Sequence, residues 1–403
     1  MMKRTWLGAI ALVVALIFLG ACGGAEEAPG TPTPRTPTPG ARQPTGEPIR
    51  IGVNIEQSGP ASVQGEAYVR AATLWQEKVN REGGILGRPV ELIIVDNKSD
   101  PTEAAVLTRR LVQQGVVAIV GPGTSPTTLA AMDAILESKI PVFSMGSADQ
   151  IVVPVDKRPN VFKTPFHASQ NVEAILVDMK RRGIQRVGLL TVNNPYGESG
   201  LAAWREAERR GDVQIVAAEK FEANATDVTP QLTNIMRANP QAVVVWAIPP
   251  GAPLARRNAV ENLRINVPMY HDAGAGAELF LRLAGQAAEG AYMIHPKTLV
   301  WDQIPPTDRQ YQVLQEFGRL YTQRYGEMSG FASYVWDALG MLKAAIEKAG
   351  STDPQAIIRA LENLGEYVGA TGVYRMSPQD HLGLRAEDLV LVTIQGGKWR
   401  LVR

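Results

Sequence analysis

From Pro48 onward, short apolar runs alternate with amphipathic segments, and this alternation limits the chain to strands joined by covering helices. Residues 49–55, 90–95, 118–120 and 140–144 read as strands. The run at 90–95 is almost continuously apolar, as a strand covered on both faces must be. Between the first two strands, Ala67, Ala71, Leu74, Trp75 and Val79 recur at helical spacing, and the pattern stops at Gly83-Gly84. Asp100, Pro101 and Glu103 form a helix start with a cap, a proline at the first position and an acid at the third; that helix ends at Gly115. Strands separated by one helix return to the same edge of the sheet and therefore run parallel.

The same order begins again after His167. A helix over 168–182 precedes strands at 186–191, 214–218 and 242–246. Helices start at Thr229-Pro230 and span about 254–263, and Met269-Tyr-His-Asp272 runs into a glycine-rich loop. Two successive sets of similar size predict an α/β protein of two doubly wound, Rossmann-like lobes; one continuous eight-stranded barrel is the alternative. After Gly290 the chain becomes more helical. Phe331, Tyr334, Val335, Ala338, Leu339, Leu342, Ala345 and Ile346 form a core-facing stripe ending at Gly350, and short strands follow at 372–374 and 389–394.

One junction stands out chemically. The strand at 118–120 enters the glycine-rich turn Gly121-Pro-Gly-Thr124, and a helix follows with Ser125 in the cap position, Pro126 behind it and apolar residues through Leu136. Such a junction aims unpaired N–H groups and the positive helix end at one spot, where a carboxylate can sit without a cation.

The N-terminus has a separate role. Lys3 and Arg4 precede an apolar run too short for a comfortable membrane span, and small residues lead into Cys22. Residues 1–21 read as an export signal. Leu19-Gly20-Ala21-Cys22 resembles the lipobox of bacterial lipoproteins, which implies lipidation of Cys22 and attachment to the outer face of a membrane. Residues 22–47 are rich in proline and threonine and poor in large apolar side chains, so they read as an extended tether. Cys22 is the single cysteine, which excludes an intramolecular disulfide or thiolate metal site. A net charge of +1 offers no basic face for nucleic acid.

The ordered motifs resemble the type I periplasmic binding proteins, in particular the branched-chain amino acid (Leu/Ile/Val) binding proteins of ABC transporters. The resembling pieces are Ile51-Gly-Val with Ser58-Gly-Pro60, Val79-Asn-Arg-Glu-Gly-Gly84, Asp100-Pro101, Ile119-Val-Gly-Pro122, Asn194-Pro-Tyr-Gly197, Ala284-Gly-Gln-Ala-Ala-Glu-Gly290 and Tyr334-Val-Trp-Asp-Ala338. The resemblance implies two lobes joined by three crossovers. Residues 48–166 with 297–372 would form lobe one, and residues 167–296 with 373–403 lobe two. A monomer would close around an amino acid-like ligand and hand it to permease subunits, without a cofactor.

Carried over by position, the resemblance places Ser125 on the ligand carboxylate and Gly146, Ser147 and Ala148 in a second contacting loop. Tyr196 would close on the ligand from lobe two, and Asp272 would pair with its ammonium. Gln64 stands where an aromatic residue is common, Ala148 where threonine is usual, and Ile248, beside Trp246, where tyrosine is often seen. Ser99 and Thr124 occupy the places of a disulfide found in some members. A tethered ligand sensor is a second reading. An α/β hydrolase is a third, against which stand the missing Gly-x-Ser-x-Gly elbow and the scattering of His167, His271, His295 and His381.

Overall fold

The structure, a computed structural model, describes residues 43–402; the proposed signal, Cys22 and nearly all of the tether lie outside the described residues. The first sheet is built from β1 (Ile49–Ile55), β2 (Val90–Asp96), β3 (Ala118–Val120), β4 (Val142–Ser144) and β5 (Val161–Lys163), in the order β2-β1-β3-β4-β5. All of its pairings are parallel. The second sheet contains β6 (Arg186–Val192), β7 (Gln214–Phe221), β8 (Ala242–Trp246), β9 (Met269–His271) and β10 (Tyr292–Pro296). Read from β7, these follow the same winding, β7-β6-β8-β9-β10. A small pair, β11 (Tyr367–Val368) and β12 (Val373–Tyr374), stands apart, whereas β13 (Leu389–Gln395) and β14 (Lys398–Leu401) extend the second sheet antiparallel from β10.

Strand parity explains why helices cover both faces. In sheet one, Ile51, Val53, Ile55, Phe143 and Phe162 enter the larger core, which also takes Ala67, Ala71 and Trp75 from the helix Ser62–Arg81. The alternate residues Ile119, Val142 and Val161 enter a second core with Leu111, Met132 and Ile135. Asn54 points to that second side and donates to the Ala104 carbonyl (2.9 Å) and to Thr108 Oγ1 (3.1 Å), so the polar side chain is satisfied within an apolar layer. The helix Ala332–Ala349 packs on Ser62–Arg81, and Gly350 ends it in the left-handed region, as the stripe predicts.

The chain leaves sheet one after β5, returns after β10 and passes back before β13, which makes three crossovers between two open sheets and excludes the barrel. Four strands escaped the pattern, among them the two-residue β11. β5 is three residues ending in a lysine, β10 contains a histidine and a proline, and β14 alternates charged residues with Trp399 and Leu401. None offers an apolar run long enough to stand out. Two expected helices also differ. Asp227, not the Thr229 hydroxyl, accepts from the Thr229 amide (3.0 Å) at the start of Thr229–Arg237. The helix expected over 254–263 begins earlier, as Gly251–Arg257, and ends in a π-helical turn over Asn258–Asn262.

Leu111 fills the space beside the bare Gly52 backbone within the second core. Leu111→Ala is expected to cost about 2–5 kcal/mol by leaving a cavity there, read as a lowered urea midpoint.

Candidate functional site

The two identical windings bring the C-terminal ends of their parallel strands to one crevice, where ligands bind in open α/β sheets. A cavity of about 280 Å³ lies there. From sheet one it takes Gln64 beyond β1, Gly123 to Pro126 after β3, Met145 to Ser147 after β4, and Pro165 and Phe166 after β5. From sheet two it takes Asn194 and Tyr196 after β6, Phe221 and Ala223 at the end of β7, Ile248 to Gly251 after β8, and Asp272 to Gly274 after β9. Phe331 and Tyr334, at the start of Ala332–Ala349, complete the wall. Aromatic rings from both halves thus surround a small number of polar groups, the composition of a small-molecule pocket.

On the sheet-one side the local structure differs from the sequence expectation in an informative way. Thr124, not Ser125, is the helix cap, with its side chain and that of Thr127 forming a reciprocal box. The helix is also short: Ser125–Ala130 ends at Ala131 and a separate helix, Met132–Ser138, follows. A helix of fewer than two turns has little dipole to offer, so the polarity of this wall rests on individual groups. Because Thr124 does the capping, the Ser125 hydroxyl is released from the helix. Its oxygen accepts from the Ala148 amide (3.1 Å) while the residue lines the cavity. The Gly146 amide is likewise engaged inside its loop, on Ser144 Oγ (2.9 Å). A Cβ on Gly146 would lie 2.9 Å from the Ser125 Cα, so this close approach of two loops demands glycine.

Ala148, expected to contact a ligand, does not line the cavity: it is fully buried, and its N–H is spent on Ser125. Trp246 also fails to reach the cavity. Its indole packs against the bare backbone of Gly200 and lies 6.0 Å from the Tyr196 ring, which it supports from behind. Ser125, Gly146, Ser147, Tyr196, Ile248, Asp272 and Gln64 do line the cavity.

On the sheet-two side, Asn194 accepts from the amides of Tyr196 and Gly197 and so starts the helix Pro195–Arg209 that carries Tyr196. The Tyr196 hydroxyl donates to Asp272 Oδ2, which also accepts from the Gly274 amide (2.9 Å). Asp272 Oδ1 is buried and has no partner among the described residues. Burial is the main cause that pushes the Asp272 carboxyl up to about 7, against the lowering effect of its hydrogen bonds to Tyr196 and Gly274. His271, its sequence neighbour, points the other way and packs edge-on against Phe280 at 4.9 Å. Burial pushes the imidazole down to about 3.

Sequence reasoning missed Glu56, Tyr68, Asn171, Phe166, Phe221 and Phe331. Glu56 is fully buried beneath the Gly123 turn, where it accepts from Thr127 Oγ1 (2.6 Å) and Asn97 Nδ2 (3.2 Å); burial raises its carboxyl. Asn171 accepts from the Ala273 amide (3.2 Å) and fixes the loop after Asp272. Nothing in their spacing separates these residues from ordinary core or loop positions.

A family model described as periplasmic binding protein matches residues 48–398. The chain belongs to that family. Among curated relatives, it is 24% identical to a Leu/Ile/Val-binding protein of Rhizobium johnstonii over 329 residues, 80% of this chain and 86% of the relative. It is 23% identical to a leucine-, isoleucine-, valine-, threonine- and alanine-binding protein of Pseudomonas aeruginosa, over 78% of this chain and 82% of that one. Among solved structures, an extracellular ligand-binding receptor of Rhodopseudomonas palustris HaA2 superposes with a TM-score of 0.82 at 26% identity, covering 89% of this chain and 100% of the other. A branched-chain amino acid transporter substrate-binding protein of Streptococcus pneumoniae, in complex with isoleucine, gives 0.76 at 27% identity, covering 88% and 99%. As a periplasmic binding protein the chain is a receptor for a solute, not an enzyme. Among the described residues, no helix is long and apolar enough to cross a membrane.

The Asp272 environment has a measurable signature. A carboxyl that titrates near 3.8 when unfolded but about 7 when folded binds more protons in the folded state between those values. Its contribution to stability is thus lost as pH rises through that window. In the ligand-free protein, Asp272→Asn is expected to gain in melting temperature relative to wild type as pH goes from 4 to 7; a constant difference would place Asp272 in a polar setting instead.

Proposed function

We propose that this protein is the solute receptor of an ABC importer, held outside the cytoplasm by a lipid on Cys22, and that its ligand is an α-amino acid with an apolar side chain. The observation that carries the ligand class is the unpaired Oδ1 of Asp272 at a cavity whose opposite wall presents Ser125 and Ser147. A buried carboxylate lacking a partner is expensive, and a ligand ammonium removes that cost. A ligand lacking either charge would leave one wall unpaired, which is how such a site selects a zwitterion. The aromatic lining suits an apolar side chain. An engineered cavity of ~150 Å³ holds benzene, and a volume near 280 Å³ accepts leucine or a bulkier, aromatic amino acid.

Residues 48–166 with 297–372 would move as one lobe and residues 167–296 with 373–403 as the other, so that closure on the ligand is what a permease reads. Packing of Ala332–Ala349 on Ser62–Arg81 supports the first grouping, and pairing of β13 with β10 supports the second. The tether at 22–47 suits a receptor that must reach a permease on the same membrane. The same parts would serve a sensor that presents its closed form to a signalling receptor.

A thermal-shift screen over the proteinogenic amino acids tests the ligand class. Leucine, isoleucine, phenylalanine or a similar apolar amino acid is expected to raise the melting temperature, because a ligand at 100 times its Kd adds about 2.7 kcal/mol to the folded state. Asp272→Asn should weaken that ligand by about ten-fold or more, the cost of losing a charged partner. Stabilisation by uncharged solutes alone would overturn the assignment. Cys22→Ser should release the protein from membrane fractions, and a variant that still sediments with lipid would remove the anchor.

A further inference from the structure

Lys163 is the last residue of β5, and its side chain is completely buried. By strand parity it follows Val161 into the second core, the side that also holds Ala148 and Ile151. Among the described residues no carboxylate lies within ion-pair distance of it. An unpaired buried ammonium is costly, so its neighbours show what it is for. The ammonium donates to the Ser147 carbonyl at 2.7 Å and, at 3.4 Å, to the Ala148 carbonyl. Burial pushes Lys163 down to about 7, while Asp149 and Asp380, farther off, pull it back up.

The peptide unit between Ser147 and Ala148 has two polar ends. Its carbonyl takes the Lys163 proton donor, and its N–H donates to Ser125 Oγ at 3.1 Å. With that oxygen already serving as acceptor, the Ser125 hydroxyl proton is left to point elsewhere, and Ser125 lines the cavity. Hydrogen bonds in series polarise one another, and a cation at the start makes each later donor stronger.

We propose that Lys163 is a positioning residue for ligand recognition: from outside the cavity it orients and polarises the Ser147–Ala148 peptide so that the Ser125 hydroxyl donates to a carboxylate of the ligand. This rests on the amino acid reading of the cavity and extends it. The site then carries a cation behind the sheet-one wall and a half-paired carboxylate, Asp272, on the sheet-two wall, a charge pair matched to a zwitterion without an arginine touching the ligand. The ligand carboxylate in turn adds, through the relay, to the countercharge that Asp149 and Asp380 supply to Lys163 from farther off.

The test uses the full chain, calorimetry, and two probe pairs: L-leucine with L-leucinamide, and L-phenylalanine with L-phenylalaninamide. Each amide keeps the ammonium and side chain but lacks the anion. Lys163→Met is expected to weaken the amino acid by about ten-fold while changing the amide less than about two-fold, the scale of one charge-assisted hydrogen bond. In a Ser125→Ala background the same substitution should cost the amino acid almost nothing, because both residues act in one chain. Lys163→Gln, which keeps a donor for the Ser147 carbonyl but removes the charge, guards against misfolding of the apolar variant and should show a smaller loss with the same selectivity. Equal losses for acid and amide, or full additivity with Ser125→Ala, would reduce Lys163 to a packing role and overturn the relay. Failure of both amino acids to bind the wild type would instead remove the amino acid reading, and the relay with it.

Discussion

A parallel sheet covered on both faces can do polar chemistry only where its strands end, and this constraint shapes the whole protein. Side chains within β1, β3, β4, β6 and β8 are nearly all committed to the two layers of core beside each sheet. The loops that leave those strands carry Ser125, Ser147, Tyr196 and Asp272. Because both sheets are wound in the same order, their strand ends meet, and each half supplies an incomplete wall. The cavity is therefore a property of the pair of lobes rather than of either one.

The two walls solve the problem of holding charge in different ways. On the sheet-two side a carboxylate is buried directly and half satisfied by Tyr196 and Gly274, with its other oxygen left without a partner among the described residues. On the sheet-one side, among the described residues, no charged side chain lines the cavity; hydroxyls and peptide groups do, and a lysine stands one peptide behind them. Keeping the cation off the wall avoids placing a flexible, strongly hydrated ammonium in a small apolar cavity. Orientation is then fixed by backbone, which has few alternative geometries.

Much of the fold was legible because each strand covered on both faces must be apolar along its length, and because helix starts such as Asp100-Pro101 and Asn194-Pro195 carry their own signals. The strands that escaped lack a long apolar run, and one of them, β5, ends in a lysine buried through specific partners. Lys163 reads as a residue leaving the core, yet it is inside because two carbonyls receive its protons. Ser125 reads as a helix cap, but Thr124 takes that position since its own hydroxyl and that of Thr127 close a box. Trp246 and Ala148 sit one position away from cavity residues in sequence, and strand parity or a single peptide rotation turns them aside.

The sequence alone established the alternation of strands and helices, the doubling of that pattern and the family resemblance, because periodicity, capping residues and motif order are local quantities. Only the tertiary structure decided that β13 and β14 extend the second sheet antiparallel from β10, that the Ser125 hydroxyl is free of the helix cap, and that Asp272 keeps an oxygen without a partner among the described residues. Those outcomes depend on which groups from distant segments are left without water or partner once the chain is folded, and no local pattern encodes that.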